Sequence, residues 1–563
     1  MPTRQEMWER LGEEVDVLVI GGGITGAGIA RDAARRGMTV ALVEMNDLAF
    51  GTSSRSSKLV HGGLRYLEHY EFSMVFESVS ERRILMDLAP HLVNPLGFLF
   101  PVYKGSRHNL FMINAGMWLY DGLSLFRSPK IHKTLKPKEV AKVEPSLRRE
   151  GLKGAPLYYD CSTDDARLTL ETALDAARQG ATIATFAKVE GLLADGPSGR
   201  VNGARVRDTL GGSELKEVRA KVVINATGPW TDATRSLSEG SDGRRLLRPT
   251  KGVHVVVDAE KLPVQHAVVC FHPDDERVLF ALPWGDRTYI GTTDTDYRGD
   301  PAAVAATLED VRYLLAATNH YFPDCPLQPA DVLSTWAGLR PLVAPPEEGV
   351  SESEVSREHE IVVGRDGLIT IAGGKLTTYR RMAAEVVDSA VKLLKLMGQL
   401  PKGLRPAHTD EAPLPGGVDW PEDDDHDAVA RRVRAASEDR LAPKVARHLA
   451  DNYGMRALEI GRRVAAQPEL ADPLIEGRPE IVAQVIWAAR EELAASVADV
   501  LIRRTQIFYR DEEQGLGCAD RVARLLGREL GWTDAQREAS LEAYRGEVAR
   551  SREWRSESAE QPR

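Results

Sequence analysis

Cysteine is scarce: four residues in 563 (Cys161, Cys270, Cys325 and Cys518), none at CxxC spacing. That excludes a disulfide framework or a thiolate metal site and suggests reduced thiols in an intracellular protein. No metal is expected. No stretch approaches the roughly 18 consecutive apolar residues that a spanning helix needs, so the chain is expected to lie on a membrane at most. The first residues, Met-Pro-Thr-Arg-Gln-Glu, lack the basic-then-apolar run of a secretory signal. Positive charge is not in excess either. The net charge is -10 and no base-stacking motif is visible, so nucleic acid is not an expected partner. With 43% hydrophobic and 28% charged residues, the composition is that of an ordinary globular chain, long enough for about three or four domain-sized units.

The first strong signal is Val15-Asp16-Val17-Leu18-Val19-Ile20, a β-branched apolar run suited to a strand buried on both faces. It leads directly into Gly21-Gly22-Gly23-Ile24-Thr25-Gly26, then an Ala-rich helical stretch to Arg36 with Gly37 placed to cap it. A second strand from Thr39 to Val43 ends at Glu44. Each position has a physical role in dinucleotide binding. Gly21 permits the tight turn, Gly23 lets backbone approach a pyrophosphate, and Gly26 allows close helix–sheet packing. The helix start supplies N–H donors through Ile24 and Thr25, and Glu44 can accept hydrogen bonds from a ribose diol.

No second GxGxxG follows. Instead, Val222-Val223-Ile224 runs into Asn225-Ala226-Thr227-Gly228-Pro229-Trp230, and Leu368-Ile369-Thr370-Ile371 into Ala372-Gly373-Gly374-Lys375-Leu376-Thr377-Thr378. Three separated segments converging on one long ligand favour FAD over NAD. Candidate cofactor contacts are Gly21, Gly23, Ile24, Thr25, Gly26, Glu44, Thr52, Ser53, Ser54, Ser57, Val189, Ala226, Gly228, Trp230, Gly374, Lys375, Leu376 and Thr377.

Thr52-Ser53-Ser54-Arg55-Ser56-Ser57-Lys58-Leu59-Val60-His61-Gly62-Gly63-Leu64-Arg65-Tyr66-Leu67-Glu68 resembles the signature of FAD-dependent glycerol-3-phosphate dehydrogenases. So do Asn225 to Trp230, Lys251-Gly252-Val253-His254, Ile290-Gly291-Thr292-Thr293-Asp294, Gly338-Leu339-Arg340-Pro341 and Gly373 to Tyr379, in the family's order. The helical remainder is also similar, notably Asp499 to Thr505. The resemblance implies an α/β fold like that of D-amino-acid oxidase: a discontinuous Rossmann-type FAD domain (12–100, 145–245, 335–395) and an antiparallel substrate-binding sheet (101–144, 246–334). A linker (396–425), read from Ala412-Pro413-Leu414-Pro415-Gly416-Gly417 and the acidic run after it, leads to a C-terminal α-helical domain (426–563).

The same resemblance implies oxidation of sn-glycerol 3-phosphate to dihydroxyacetone phosphate, with hydride passing from C2 to the flavin N5. Arg65 and Arg340 are the expected phosphate ligands, because guanidinium groups match phosphate oxygens in pairs and stay charged when buried. Tyr66 adds a hydroxyl donor. His61 and His254 are candidate bases, since histidine titrates near neutrality. Lys375 holds substrate oxygens or stabilises negative charge on the reduced flavin. A carboxylate substrate would also suit an arginine, so an amine or amino-acid oxidase stays open, as does a non-catalytic nucleotide sensor.

With no NAD-binding half, electrons must leave by another route. Lys104, Arg107, Arg127, Lys130, Lys133, Lys136 and Lys138 flank the apolar Phe111-Met112-Ile113, Ala115, Met117-Trp118-Leu119-Tyr120 and Leu123. That pattern suits a segment resting among anionic headgroups, or a core helix with a solvated rim. The expectation is a cytoplasmic protein, peripheral on the inner face of the cell membrane, with quinone as acceptor; an oxygen-using oxidase is the alternative. The C-terminal helices carry no catalytic cluster, and a homodimer is one candidate assembly.

Overall fold

The Val15–Ile20 strand is buried along its whole length and pairs in parallel with Val40–Val43 on one side and Leu215–Asn225 on the other. The helix Ile24–Arg36 follows, closed by Gly37 in the left-handed conformation with φ 96°. It can begin flush against the strand because Gly26 has no side chain: a Cβ there would stand 1.9 Å from the Gly21 carbonyl oxygen. The described residues of this computed structural model are 2–64, 70–124, 129–195, 199–210, 212, 214–238, 240–241, 243–345 and 358–559.

Among them the first sheet runs in the order 359–363, 369–373, 215–225, 15–20, 40–43, 182–184, with a meander of 187–195 and 200–208 beside 215–225. The register pairs Ile20 with Asn225 and Asn225 with Thr370, so three carboxyl ends open on one edge. Ligands of open α/β sheets bind at such an edge. The helices Ile24–Arg36, Asp165–Arg178 and Tyr379–Leu396 pack together over this sheet.

The second sheet is largely antiparallel, in the order 295–296, 247–258, 287–291, 278–284, 267–271, 93–99, 152–163, 59–60, with 332–343 also paired to 247–258. Its strands at 59–60, 93–99 and 152–163, and the 332–343 strand from residue 335 on, come from stretches expected in the cofactor domain. Period-two alternation tells which face is buried but not which sheet a strand joins. The Pro-Gly stretch expected as linker is a strap across the helices that cover the first sheet. Leu414 and Gly416 are buried, Arg31 donates to the carbonyls of Thr409 and Ala412, and the Gly416 N–H donates to Glu171 at 2.7 Å.

The C-terminal part is helical from His426 to Ala559, with one π-helical turn at Asp499–Arg504. It is anchored by buried charge. Arg504 reaches both carboxylate oxygens of Asp47 at 2.7 and 2.8 Å, beside Arg503. Arg167 forms a bidentate pair with Glu492, both contacts 2.9 Å, and Arg456 bridges Glu492 and Glu171 at 3.1 and 2.9 Å. Burial opposes ionisation of Glu492, but Arg167 and Arg456 outweigh it and hold the carboxyl below the usual range. A depressed carboxyl stabilises the fold above its unfolded value of about 4.3 and loses that contribution as pH falls through the folded value. Stability to urea should therefore hold from pH 7 to 5 and fall in acid. Glu492→Gln, which takes the bidentate carboxylate from Arg167 and leaves Arg456 only Glu171, should cost about 3–5 kcal/mol at pH 7; a loss under about 1 kcal/mol would remove this network from the anchor.

Candidate active site

A cavity of about 460 Å³ lies where the carboxyl edge of the first sheet meets the second sheet. The glycine turn (Gly21, Gly23, Ile24, Thr25), the Ala226–Trp230 turn and the Gly373–Thr377 segment all line it. So do the Gly51–Ser53 and Arg55–Ser57 stretches, His254 from the 247–258 strand, and Gly338 to Leu342 from the strand beside it. Cofactor-type and substrate-type segments thus share one space.

At the glycine turn, Glu44 is buried and its carboxylate accepts from the N–H of Gly22 at 2.6 Å and of Asn46 at 2.9 Å. Burial pushes its carboxyl up to about 7 against those bonds. Ser53 Oγ accepts from the Ile24 N–H at 2.9 Å, tying the serine-rich loop to the first turn of the helix. Ser56 and Lys58 are fixed to the buried Asp165 at 2.7 Å each.

Arg340 pairs with Thr250 across two antiparallel strands. Its Nη1 donates to Asp294 Oδ1 at 3.0 Å, and its Nη2 to Thr292 Oγ1 and the Thr293 carbonyl at 3.1 Å. Gly252 makes room for it, since a Cβ there would lie 2.7 Å from Nη2. His254 is buried with its ring stacked 4.7 Å from Trp336, and Nε2 lies 2.9 Å from Ser57 Oγ. Its Nδ1 has no hydrogen-bond partner among the described residues. Burial, then Arg340 and Lys58, push its pKa far below the histidine range, so the ring is neutral and a weak base.

His61 also lines the cavity, and its backbone is held to Thr377 in both directions: its N–H donates to Oγ1 at 3.2 Å and its carbonyl accepts from Oγ1 at 3.3 Å. This brings the serine-rich loop to the Gly373–Thr377 segment. Lys375 lines the same wall, its Nζ 3.4 Å from Ser78 Oγ.

Of the residues singled out in the sequence, Gly26 and Ser54 do not line the cavity. Gly26 serves packing against Gly21, while Ser54 is turned inward and offers its carbonyl to Lys58 at 3.3 Å. Arg65 and Tyr66 lie outside the described residues. The sequence reading does not single out Arg55, Gly252 or Asp294. Arg55 and Asp294 each sit inside a quoted motif, but whether a charge faces a ligand or a carboxylate is decided by strands distant in sequence.

The residues present fit a flavin dinucleotide. A glycine turn at a helix start faces the cavity where a pyrophosphate would lie. A buried carboxylate stands where a ribose diol would donate, and an unpartnered imidazole nitrogen closes the wall between the sheets.

Comparisons with known proteins agree with this geometry. Residues 16–380 match the FAD dependent oxidoreductase family, and residues 407–537 match the C-terminal domain of alpha-glycerophosphate oxidase. The aerobic glycerol-3-phosphate dehydrogenase of Staphylococcus haemolyticus is 41% identical over 526 residues, 93% of this chain and 92% of that protein. Glycerol-3-phosphate dehydrogenase 2 of Mycobacterium tuberculosis is 41% identical over 548 residues, 97% of this chain and 90% of that protein. The crystal structure of the glycerol-3-phosphate dehydrogenase from Bacillus halodurans, complexed with FAD, superimposes with a TM-score of 0.80 at 33% identity over 98% of both chains. On the strength of fold, site and relatives, the chain belongs to the FAD-dependent oxidoreductases and, among them, to the aerobic glycerol-3-phosphate dehydrogenase family.

Proposed function

We propose that the protein oxidises sn-glycerol 3-phosphate at C2 to dihydroxyacetone phosphate and delivers the electrons to a membrane quinone. The observation that carries the substrate reading is the Arg340 guanidinium, fixed by Asp294 and Thr292 in the cavity that also holds the glycine turn. Arg340, with Arg65 and Tyr66 from the neighbouring signature, binds the phosphate. Lys375 steadies the substrate oxygens. His61 is the preferred base for the C2 hydroxyl proton, because burial leaves the alternative, His254, weakly basic. Bound FAD supplies the hydride acceptor, and the chain supplies orientation and electrostatics around it.

Anaerobic addition of glycerol 3-phosphate to the holoenzyme should bleach the flavin absorbance. Arg340→Met should lower kcat/KM roughly 10- to 100-fold, the equivalent of about 1.5–3 kcal/mol for one hydrogen bond to a charged group. An unchanged kcat/KM would move the phosphate anchor elsewhere. A second reading, the oxygen-using oxidase, draws on the C-terminal match to alpha-glycerophosphate oxidase. Stoichiometric peroxide without added acceptor would select it.

Glu44 gives the cofactor reading a pH signature. The ionised carboxylate accepts from a ribose diol and the protonated form loses acceptor capacity. FAD affinity should weaken as pH falls through about 7. Glu44→Gln should flatten the profile and weaken binding at pH 8; a profile that keeps its slope in that variant would rule Glu44 out as the ribose ligand.

The membrane reading draws on the helix Leu110–Leu123. Phe111, Met112 and Trp118 are 82%, 55% and 55% exposed, while Met117 and Tyr120 are buried. Exposed Lys104, Arg107, Lys130, Lys133, Lys136 and Lys138 surround it in sequence, and Arg127 of the same flank lies outside the described residues. The helix Phe72–Leu88 packs on it and exposes Phe72 and Phe76. No described helix is long and apolar enough to cross a membrane. The protein should co-sediment with anionic vesicles, more weakly at high salt. Replacing Phe111 and Trp118 by Ser should release it, and retention by the double variant would place the contact elsewhere.

A further inference from the structure

We propose that Arg55 is a phosphoryl-binding residue of this cavity, serving either the pyrophosphate of FAD or the phosphate monoester of the substrate. The first source needs only the cofactor; the second rests on the substrate reading above.

The placement of the residue comes first. Arg55 follows the 3-10 turn Thr52–Ser54, with its N–H donating to the Thr52 carbonyl at 3.0 Å. Its backbone presses on Gly338, where a Cβ would stand 2.6 Å from the Arg55 carbonyl oxygen. Two residues earlier, Ser53 binds the Ile24 N–H at the start of the helix. The loop is therefore stitched to the glycine turn on one side and to the strand of Arg340 on the other, the two places in the cavity built for anions. Arg55 is one of the residues lining that cavity.

The second argument is charge balance. The buried arginines away from the cavity have carboxylates: Arg31 pairs with Asp175, Arg82 with Asp160, Arg167 with Glu492 and Arg504 with Asp47. The cavity's other arginine, Arg340, has Asp294. Among the described residues the Arg55 guanidinium makes no hydrogen bond and no ion pair; it lies over the face of Phe50, 5.5 Å from the ring centroid, and interacts electrostatically with the Tyr509 phenol. Glu547, the carboxylate acting on it, is engaged by Arg550 at 3.0 Å. Arg503, over the same phenyl ring at 5.9 Å, is held by Asp47 and Asp499. Burial pushes the Arg55 pKa down, yet a guanidinium keeps its proton at physiological pH. Arg55 is half-buried; a partly desolvated cation with no counter-ion among the described residues is costly, and a cation–π contact compensates it only partly. On a cavity wall, the missing anion is one that a ligand brings, and phosphate matches the guanidinium fork.

The test compares wild type with Arg55→Met and Arg55→Lys as full-length holoenzymes. Flavin release on dilution is followed by its fluorescence, steady-state kinetics use glycerol 3-phosphate, and melting is followed by far-UV circular dichroism. If the pyrophosphate is the ligand, Arg55→Met should release FAD at least tenfold more readily, or purify folded and flavin-free. If the substrate is the ligand, release should stay within threefold of wild type, while KM rises at least tenfold at nearly constant kcat. Arg55→Lys should show a smaller change in the same quantity, and it stands in for the Met variant should that one fail to fold. Flavin release and KM both within threefold of wild type would overturn the proposal, and a lowered melting temperature alongside them would assign Arg55 to the Phe50 stack. Failure of glycerol 3-phosphate to bleach wild-type flavin would sink the substrate reading alone, since flavin release needs no substrate.

Discussion

Positive charge held inside a low-dielectric interior is the constraint on which this structure turns. Burying a guanidinium is tolerable only when an anion meets it, and the chain satisfies the requirement in two ways. Away from the cavity, the counter-ions are its own: Asp47, Asp160, Asp175, Glu171 and Glu492. At the cavity, Arg340 meets Asp294 beside hydroxyl and carbonyl oxygens, while the Arg55 guanidinium has no ion-pair partner among the described residues. There the proposed phosphoryl ligand would supply the anion.

The same constraint explains why the helical part docks where it does. Arg503 and Arg504 reach Asp47, three residues beyond the buried Glu44. Glu492 receives Arg167 from a helix that packs on Ile24–Arg36. The C-terminal helices thus fasten the loops of the cofactor site without lining the cavity themselves. The π-helical turn at Asp499–Arg504 places both arginines side by side on that carboxylate.

The cofactor module was legible because its requirements are local. A glycine turn between a buried strand and a helix, followed by an acid at the next strand end, is one continuous stretch from Val15 to Glu44, and each position answers to backbone sterics or helix-end chemistry. The two later segments, Val222 to Trp230 and Leu368 to Thr378, are also strand-then-turn patterns. Their pairing beside Val15–Ile20 follows from parallel-sheet burial. The expected linker shows the limit of such reasoning: Pro and Gly mark turns, but the buried Leu414 and the Glu171 contact depend on a surface that composition does not encode.

By itself the sequence determined the family-bearing motifs, the FAD module and the apolar-basic character of the 104–138 stretch, because these reside in short runs whose chemistry needs no distant partner. Tertiary structure decided the rest. It set which strands form the second sheet, which of two histidines is sealed against Trp336, and which cavity arginine meets a carboxylate. The physical reason is that pKa, pairing and exposure are properties of what surrounds a group. For His254, Arg340 and Arg55, those surroundings come from segments tens to hundreds of residues away.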